Sequence, residues 1–192
     1  MKLSVPDTLR LVVAASAVGL AATLISEAGA DPSPRSAGAE LAGTARVIDG
    51  DTVDVAGTRV RLWGIDAPEH DQTCQGKHGE TYECGRDPSA VLRELTNGQR
   101  VECAPRDPDR YGRTVAVCRT ESGELNAAMV RRGWAVDYTR HSGGRYRSEQ
   151  EQARRDQLGI WAGRFDIPEQ WRHRPWANAP ALARAIKSLA GR

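Results

Sequence analysis

Five stretches of the chain alternate apolar and polar residues with the period of a β-strand. Apolar side chains, many of them β-branched, recur at every second position, and glycines mark the ends of the stretches. The pair Ala56-Gly57 divides one long stretch into two strands, as a tight hairpin turn does. The strands are predicted within residues 44–50, 51–55, 58–65, 98–103 and 112–118.

Helical spacing and capping residues predict two helices beside these strands. The first has Asp87 as its N-cap, Pro88 at the first helical position and Gly98 just beyond its end. The second covers residues 125–132, where apolar residues follow helical spacing and Gly133 acts as a stop.

A third helix is predicted near the carboxyl end of the patterned region. Ser148 and Glu151 have the spacing of a capping box, and the helix is expected to end near Trp161. A run of strands with helices interposed and appended favours an antiparallel barrel closed by a helix. The spacing alone leaves a small α+β sandwich equally open.

The first 30 residues have the pattern of a secretory signal peptide. Two basic residues lie among the first ten, residues 11–25 carry no charge, and Ala28 and Ala30 precede an expected cleavage after Ala30. The alternative is an uncleaved anchor, but a spanning helix needs roughly 20 apolar residues. Residues 31–42, rich in Ser, Pro, Ala and Gly, are expected to be a disordered linker. The domain is then expected over residues 43–164, followed by an extension, 165–192, of unknown role.

Charge gives only a local hint about partners. The formal net charge is +2, which does not by itself indicate a protein that binds nucleic acid. Most of the basic residues are arginines, whose planar guanidinium groups bind phosphate in a bidentate manner. A polyanion site would therefore have to be built from a few arginines.

All four cysteines follow the expected leader. Nine residues separate Cys74 from Cys84 and fourteen separate Cys103 from Cys118, without the C-x-x-C pairs of a zinc site. Two disulfides are predicted, and local pairing is preferred among three possible connectivities. Cys74 and Cys84 bracket one polar loop, and the other two cysteines lie on strands that could be neighbours. Four reduced thiols are the alternative, which an oxidising compartment disfavours.

Three aspartates follow predicted strands and suggest a cation site. Asp49 and Asp51 lie two apart around Gly50, and Asp66 ends a later strand. An oxygen-only set points to a hard cation such as Ca²⁺ or Mg²⁺. An EF-hand is excluded because Val53 stands at a ligand position. By itself, Asp-Gly-Asp is more often a solvated turn.

Three separated motifs, "VIDGDTV", "RLWGIDAPE" and "DRYGRTVAV", resemble those of the staphylococcal nuclease (thermonuclease) family in the same order. The resemblance runs from about Thr44 to Trp161. It implies a five-stranded OB-fold, α+β in content, and a calcium-dependent phosphodiesterase with one Ca²⁺ ion. The resemblance therefore favours the barrel over the sandwich.

The resemblance assigns roles to individual positions. It implies a metal site from Asp51, Asp66 and the carbonyl of Ala67, with Asp49 as a neighbouring acidic residue. The implied catalytic residues are Arg61, Glu69 and Arg113. The implied substrate-binding residues are Arg110 and Tyr111, although Tyr111 could equally be a turn or core aromatic.

The sequence thus predicts an exported calcium-dependent endonuclease acting on DNA, RNA or both, in the periplasm or the medium. No protein partner or mature membrane attachment is implied, and a monomer is expected. Two alternatives are a non-catalytic OB-fold module that binds single strands, and a phosphodiesterase acting on another exported polyanion. The loop after Glu69, which contains Cys74 and Cys84, departs from the family pattern and is expected to alter the rim of the site.

Overall fold

The computed structural model describes residues 41–106, 108–109 and 111–174. The expected leader and all but the last two residues of the expected linker lie outside this range. The strands, in chain order, are β1 (Leu41–Val47), β2 (Thr52–Val55), β3 (Thr58–Leu62), β4 (Ile65–Asp66), β5 (Cys74–Gln75), β6 (Thr81–Tyr82), β7 (Arg100–Pro105), β8 (Thr114–Thr120), β9 (Gly123–Glu124) and β10 (Val136–Asp137).

Five of these strands form a closed barrel. They follow the order β3-β2-β1-β7-β8, and the parallel pairing of β3 with β8 closes the ring. Ala56 and Gly57, both at positive φ, make the predicted turn between β2 and β3. The predicted five-stranded OB-fold is therefore confirmed. Strand β1 begins at Leu41, the first described residue, and so includes the last two residues of the expected linker.

The barrel interior explains the alternation in the sequence. Val53 and Val55 of β2 and Val60 and Leu62 of β3 are almost completely buried. Their side chains pack in one core with apolar residues from the other barrel strands and from two helices. The polar residues between them lie nearer the surface, as the period of a half-buried strand requires.

The helices are α1 (Asp87–Thr96), α2 (Leu125–Arg131), α3 (Thr139–Ser142), α4 (Arg147–Arg155) and α5 (Pro168–Arg172), with a 3₁₀ turn over Gly159–Ala162. The predicted capping box is wrong, because α4 begins before Ser148 and the Ser148 hydroxyl bonds Glu149 instead. The expected end near Trp161 is wrong too, because α4 ends at Arg155 and the 3₁₀ turn follows it. Asp87 is the first helical residue rather than a side-chain cap. No helix in the described part of the chain is long and apolar enough to span a bilayer.

Both predicted disulfides are present. Cys103 and Cys118 are directly paired residues of β7 and β8, which brings their Cα atoms to 4.1 Å. Cys74 and Cys84 close the loop that contains the β5–β6 hairpin. We call residues 70–85 the stapled loop. Disulfides persist in oxidising compartments, so their presence agrees with an exported protein.

The residues that follow the 3₁₀ turn contact the stapled loop. Arg164 and Gln75 exchange two backbone hydrogen bonds of 2.8 and 2.9 Å. A Cβ atom at Gly163 would lie 1.9 Å from the carbonyl oxygen of Gln75, so this close approach requires glycine. The last two residues of the expected domain, 163 and 164, therefore pack against the stapled loop.

We expect the Cys103–Cys118 disulfide to contribute substantially to stability. In the chain-entropy model, a closed loop of this length, with a sequence separation of 15 residues, is worth roughly 3 kcal/mol. The double variant Cys103→Ala, Cys118→Ala should lose about that free energy of unfolding, as measured by urea denaturation. Removing the Cys74–Cys84 disulfide is the comparison, and it should cost less because it closes a shorter loop. An unchanged urea midpoint for the first variant would contradict the expectation.

Candidate active site

The turn between β1 and β2 holds the first carboxylate of the site. The backbone N–H of Asp51 donates to Asp49 Oδ1 at 3.1 Å, so Asp49 fixes the turn. A Cβ atom at Gly50 would lie 2.5 Å from Cβ of Pro88 and 2.8 Å from Cβ of Ala67. Glycine is thus required for the turn to pack between α1 and the segment after β4.

Arg61 joins the two predicted aspartate ligands. Because β2 and β3 pair Thr52 with Arg61, the guanidinium lies beside Asp51. Arg61 Nη1 and Nη2 lie 2.9 and 2.8 Å from Asp51 Oδ1 and Oδ2, and Nη2 donates to Asp66 Oδ1 at 2.9 Å. Carboxylates separated by 15 positions in the sequence are therefore held by one side chain.

The cluster is buried and carries more negative than positive charge. Asp51 is 5% exposed and Asp66 is fully buried. Burial raises the pKa of Asp51 well above its ordinary value; Arg61 opposes this rise, while Asp49 and Asp66 add to it. One guanidinium therefore does not compensate the carboxylates around it.

Glu69 follows the turn at Pro68 and completes the carboxylate cluster. Its backbone N–H donates to Gln72 Oε1 at 3.2 Å, and its carbonyl accepts from the Gln72 backbone N–H at 2.8 Å. A Cβ atom at Gly85 would lie 1.8 Å from the same carbonyl oxygen. Both ends of the stapled loop thus position Glu69.

A second arginine, Arg172, lies on the cluster, and the sequence analysis missed it. Its Nη1 and Nη2 donate to Asp66 Oδ1 and Oδ2 at 3.0 and 2.9 Å, and Nη1 also donates to Glu69 Oε1 at 2.6 Å. Burial opposes its charge, but Asp66 and Glu69 raise the pKa of Arg172 above its ordinary value. Arg172 lies outside the three motifs, and no sequence signal pointed to it.

The third predicted catalytic residue is placed differently. Arg113 directly precedes β8, and its Nε donates to Asp109 Oδ2 at 2.6 Å. Its guanidinium carbon lies 5.7 Å from the ring centre of the exposed Tyr111. Among the described residues no contact joins Arg113 to the carboxylate cluster. Arg110, the other predicted substrate-binding residue, lies outside the described residues.

The donor chemistry of the cluster fits a hard divalent cation. Asp51 and Asp66 offer only oxygen atoms, and together with Asp49 and Glu69 they make four carboxylates beside two guanidinium groups. The backbone N–H of Ala67 lies 3.5 Å from Asp51 Oδ2, which places Ala67 beside these carboxylates. No group of three or more His, Cys, Asp or Glu side chains within the described ranges is arranged to hold a metal. The set implied by the resemblance needs only two carboxylates and a backbone carbonyl.

Comparison with known proteins identifies the family of this arrangement. A sequence model described as "Staphylococcal nuclease homologue" matches residues 59–163, which include Arg61, Asp66, Glu69 and Arg113. The match covers the barrel from β3 onward and ends after the 3₁₀ turn. Arg172 lies beyond it.

Several curated proteins are similar to the chain. The succinoglycan biosynthesis protein ExoI of Rhizobium meliloti is 38% identical, over 63% of this chain and 64% of its own length. A micrococcal nuclease of Shigella flexneri is 33% identical, over 66% of this chain and 77% of its own. An uncharacterized endonuclease of Haemophilus influenzae is 33% identical, over 69% and 73%. The chain thus spans somewhat less than two thirds of the rhizobial relative.

Proposed function

The chain belongs to the staphylococcal nuclease homologue family, and on this basis we propose that it is an exported, calcium-dependent endonuclease of DNA, RNA or both. The observation that carries the proposal is the convergence of Asp51, Asp66, Glu69 and Arg61 in one cluster. These are residue types that phosphodiester hydrolysis requires. A non-catalytic binding module would have no need to bring them together in one cluster.

The proposed cation is held by Asp51, Asp66 and the carbonyl of Ala67. When bound, it would supply positive charge to a non-bridging oxygen of the scissile phosphate. Asp49 acts indirectly in this proposal, because its hydrogen bond fixes the turn that carries Asp51.

Arg61 is proposed to bind the phosphate that undergoes attack. Its Nη1 and Nη2 atoms pair with Asp51 and Asp66, so the N–H groups that these pairs leave are proposed to bind the phosphate; the side chain is anchored on a barrel strand and is 19% exposed. A rigidly placed positive charge stabilises the negative charge that develops during attack. Arg113 is proposed to act on the same phosphate, which requires its guanidinium to leave Asp109.

Glu69 is proposed to accept the proton of the attacking water. Its carboxylate reaches the cluster while the backbone is held by Gln72, so its position is fixed independently of the side chains around it. A general base must lie within hydrogen-bond reach of the water that it deprotonates.

The substrate is proposed to extend along the segment before β8. Tyr111 exposes an aromatic face on which a base could stack, and Arg110 adds a positive charge next to it. Export is supported by the two disulfides and by the leader pattern of residues 1–30. We propose that the protein acts as a monomer without a protein partner.

Cleavage assays with the purified protein test this proposal. Circular single-stranded DNA, duplex plasmid and RNA are each incubated with calcium, with excess chelator, and with calcium restored. We expect calcium-dependent cleavage, and cleavage of the circular substrates identifies an endonuclease. Arg61→Ala protein prepared in the same way controls for contaminating nucleases. Activity that persists in chelator would overturn the metal requirement, and no cleavage of any substrate would overturn the nuclease.

A second candidate function comes from one relative. The Rhizobium meliloti protein is named for succinoglycan biosynthesis, and it is 38% identical. The same cluster could hydrolyse phosphodiester bonds in an exported polysaccharide. An additional assay with a phosphodiester-linked bacterial polysaccharide separates the two: release of fragments from the polysaccharide but from no nucleic acid would favour the second candidate.

A further inference from the structure

Helix α5 delivers Arg172 to the carboxylate cluster from outside the barrel. The helix has five residues, and its attachment comes from Pro168 and Trp171, which are both buried. An isolated helix of this length is not stable in water, so its position depends on these contacts. Arg172 is therefore placed by tertiary packing.

The surrounding elements hold α5 from two sides. On one side, Gln72 Nε2 of the stapled loop donates to the carbonyl of Asp166 at 2.7 Å. On the other, Glu169 accepts from the Tyr138 hydroxyl at 3.2 Å and pairs with Arg140 at 3.3 Å. Gln72 also accepts from the Glu69 backbone, so a single buried side chain links Glu69 to the segment that carries Arg172.

The lone pairs of Asp66 are largely occupied by guanidinium groups. Its Oδ1 accepts from both Arg61 and Arg172, and its Oδ2 accepts from Arg172. A carboxylate oxygen offers two lone-pair positions, so Oδ1 has none left. The Glu69 oxygen Oε1 is bonded to Arg172 as well. Three of the four lone-pair positions of Asp66 are thus taken, and a cation at the remaining one, on Oδ2, would lie beside the guanidinium of Arg172, so the two positive charges compete for Asp66.

We propose that Arg172 is a residue of the active site that sets its affinity for divalent cations, by competing with the cation for Asp66. This inference rests on the proposed metal dependence. When a cation binds, Arg172 leaves Asp66 and Glu69, so the same event opens the metal site and frees the carboxylate of Glu69. Because linkage is reciprocal, removing Arg172 must strengthen cation binding.

Arg172, rather than Arg61, is the group that leaves. Arg61 lies on barrel strand β3, is 19% exposed, and keeps its bidentate pair with Asp51. Arg172 is 34% exposed and comes from a short helix outside the barrel. The displaced guanidinium can enter water at little cost, whereas Arg61 would leave a second buried carboxylate unpaired.

Calcium titration of the full purified chain, without nucleic acid, tests the inference. Isothermal titration calorimetry gives the dissociation constant for Ca²⁺ alone, and the calcium-induced rise in Tm provides a second measurement. For Arg172→Gln we expect about 10-fold tighter binding, within the usual range for coupled sites. Arg132→Gln is the matched control, because it removes the same charge from an exposed pair with Glu94.

Two further variants separate competition from a general charge effect. Arg172→Lys keeps the charge but cannot span both oxygens of Asp66, so its calcium affinity should fall between wild type and Arg172→Gln. Trp171→Ala keeps the guanidinium but removes the buried anchor of α5, so it should also bind calcium more tightly than wild type.

The outcomes are distinct for the inference and for the proposed function. Unchanged or weaker calcium binding by a folded Arg172→Gln protein, with measurable binding by wild type, would overturn the inference alone. A calcium affinity of Arg172→Lys between those of wild type and Arg172→Gln would support competition through the bidentate pair, whereas an affinity equal to that of wild type would show that charge alone is responsible and would overturn it. If neither the wild type nor any variant binds calcium, the inference is overturned. If cleavage also persists in excess chelator, the proposed metal requirement is overturned as well.

Discussion

Glu69→Gln is expected to lower kcat by roughly 10² to 10⁴ on any nucleic acid that the protein cleaves. Glutamine has nearly the same shape but cannot accept a proton from water. Because the Glu69 backbone is held by Gln72, the substitution should leave the fold and most substrate binding intact. The measurement is steady-state cleavage, which gives kcat, with the binding of a nucleotide inhibitor and a thermal melt for the same protein.

Glu83→Gln is the matched control for this prediction. Glu83 is an exposed carboxylate of the stapled loop that pairs with Arg86, so its loss should leave kcat unchanged. Near wild-type turnover by a folded Glu69→Gln protein would assign proton acceptance to another group. The nuclease proposal would survive that result, but the role given to Glu69 would not.

Arg61→Ala is expected to lower kcat by roughly 10² to 10³, because it removes a fixed positive charge from the developing phosphate charge. It should also destabilise the calcium-free protein by about 3 kcal/mol, since Asp51 and Asp66 would remain buried with less compensation. Added calcium should restore part of that stability, because the cation would replace the missing charge. Urea denaturation with and without calcium measures the change in the free energy of unfolding, and cleavage kinetics measure the change in kcat.

Two further substitutions test whether the effect of Arg61→Ala is specific to the guanidinium at this position. Arg61→Lys should recover little activity, because a point charge cannot reproduce the bidentate pair with Asp51. Arg59→Ala removes an exposed arginine from the same strand and should be close to neutral. Equal losses for Arg59→Ala and Arg61→Ala would contradict a specific role for Arg61 and point to general charge.

The strands of the barrel were predictable because their signals are local. The alternation of apolar and polar residues can be recognised within a single strand. The predicted turn at Ala56-Gly57 lies between β2 and β3, which pair as a hairpin. The closure of the barrel, in contrast, could not be predicted from local signals. It depends on the parallel pairing of β3 with β8, which no periodicity shows, and only the resemblance chose the barrel over a sandwich.

The helix ends were less predictable than the helices. Ser148 and Glu151 have the spacing of a capping box, but α4 begins at Arg147 and includes both residues. Ala153 is the buried residue of this helix, and Tyr146, which precedes Arg147, makes no side-chain cap hydrogen bond. Tertiary packing thus overrode a local signal worth at most about 2 kcal/mol.

The aspartates of the cluster and Arg61 were predictable together, but Arg172 was not. Asp51, Asp66 and Arg61 lie in motifs at adjacent strand ends, so the family pattern brings them together. Arg172 is separated from Asp66 by more than 100 positions, and its placement depends on a buried tryptophan and a hydrogen bond from Gln72. Such contacts have no sequence period. Arg113 shows the reverse case, because its motif matches while its guanidinium pairs with Asp109.

The pairing of Gln75 with Arg164 matters to anyone who shortens or tags this protein. A chain ended after residue 163, where the family match stops, would keep the barrel and all three motifs but lose Arg172. It would also leave the buried amide of Gln72 without its Asp166 acceptor, directly behind Glu69. Cleavage kinetics measured on such a trimmed protein would therefore report on a carboxylate cluster without Arg172, and would not describe the cluster of the full chain.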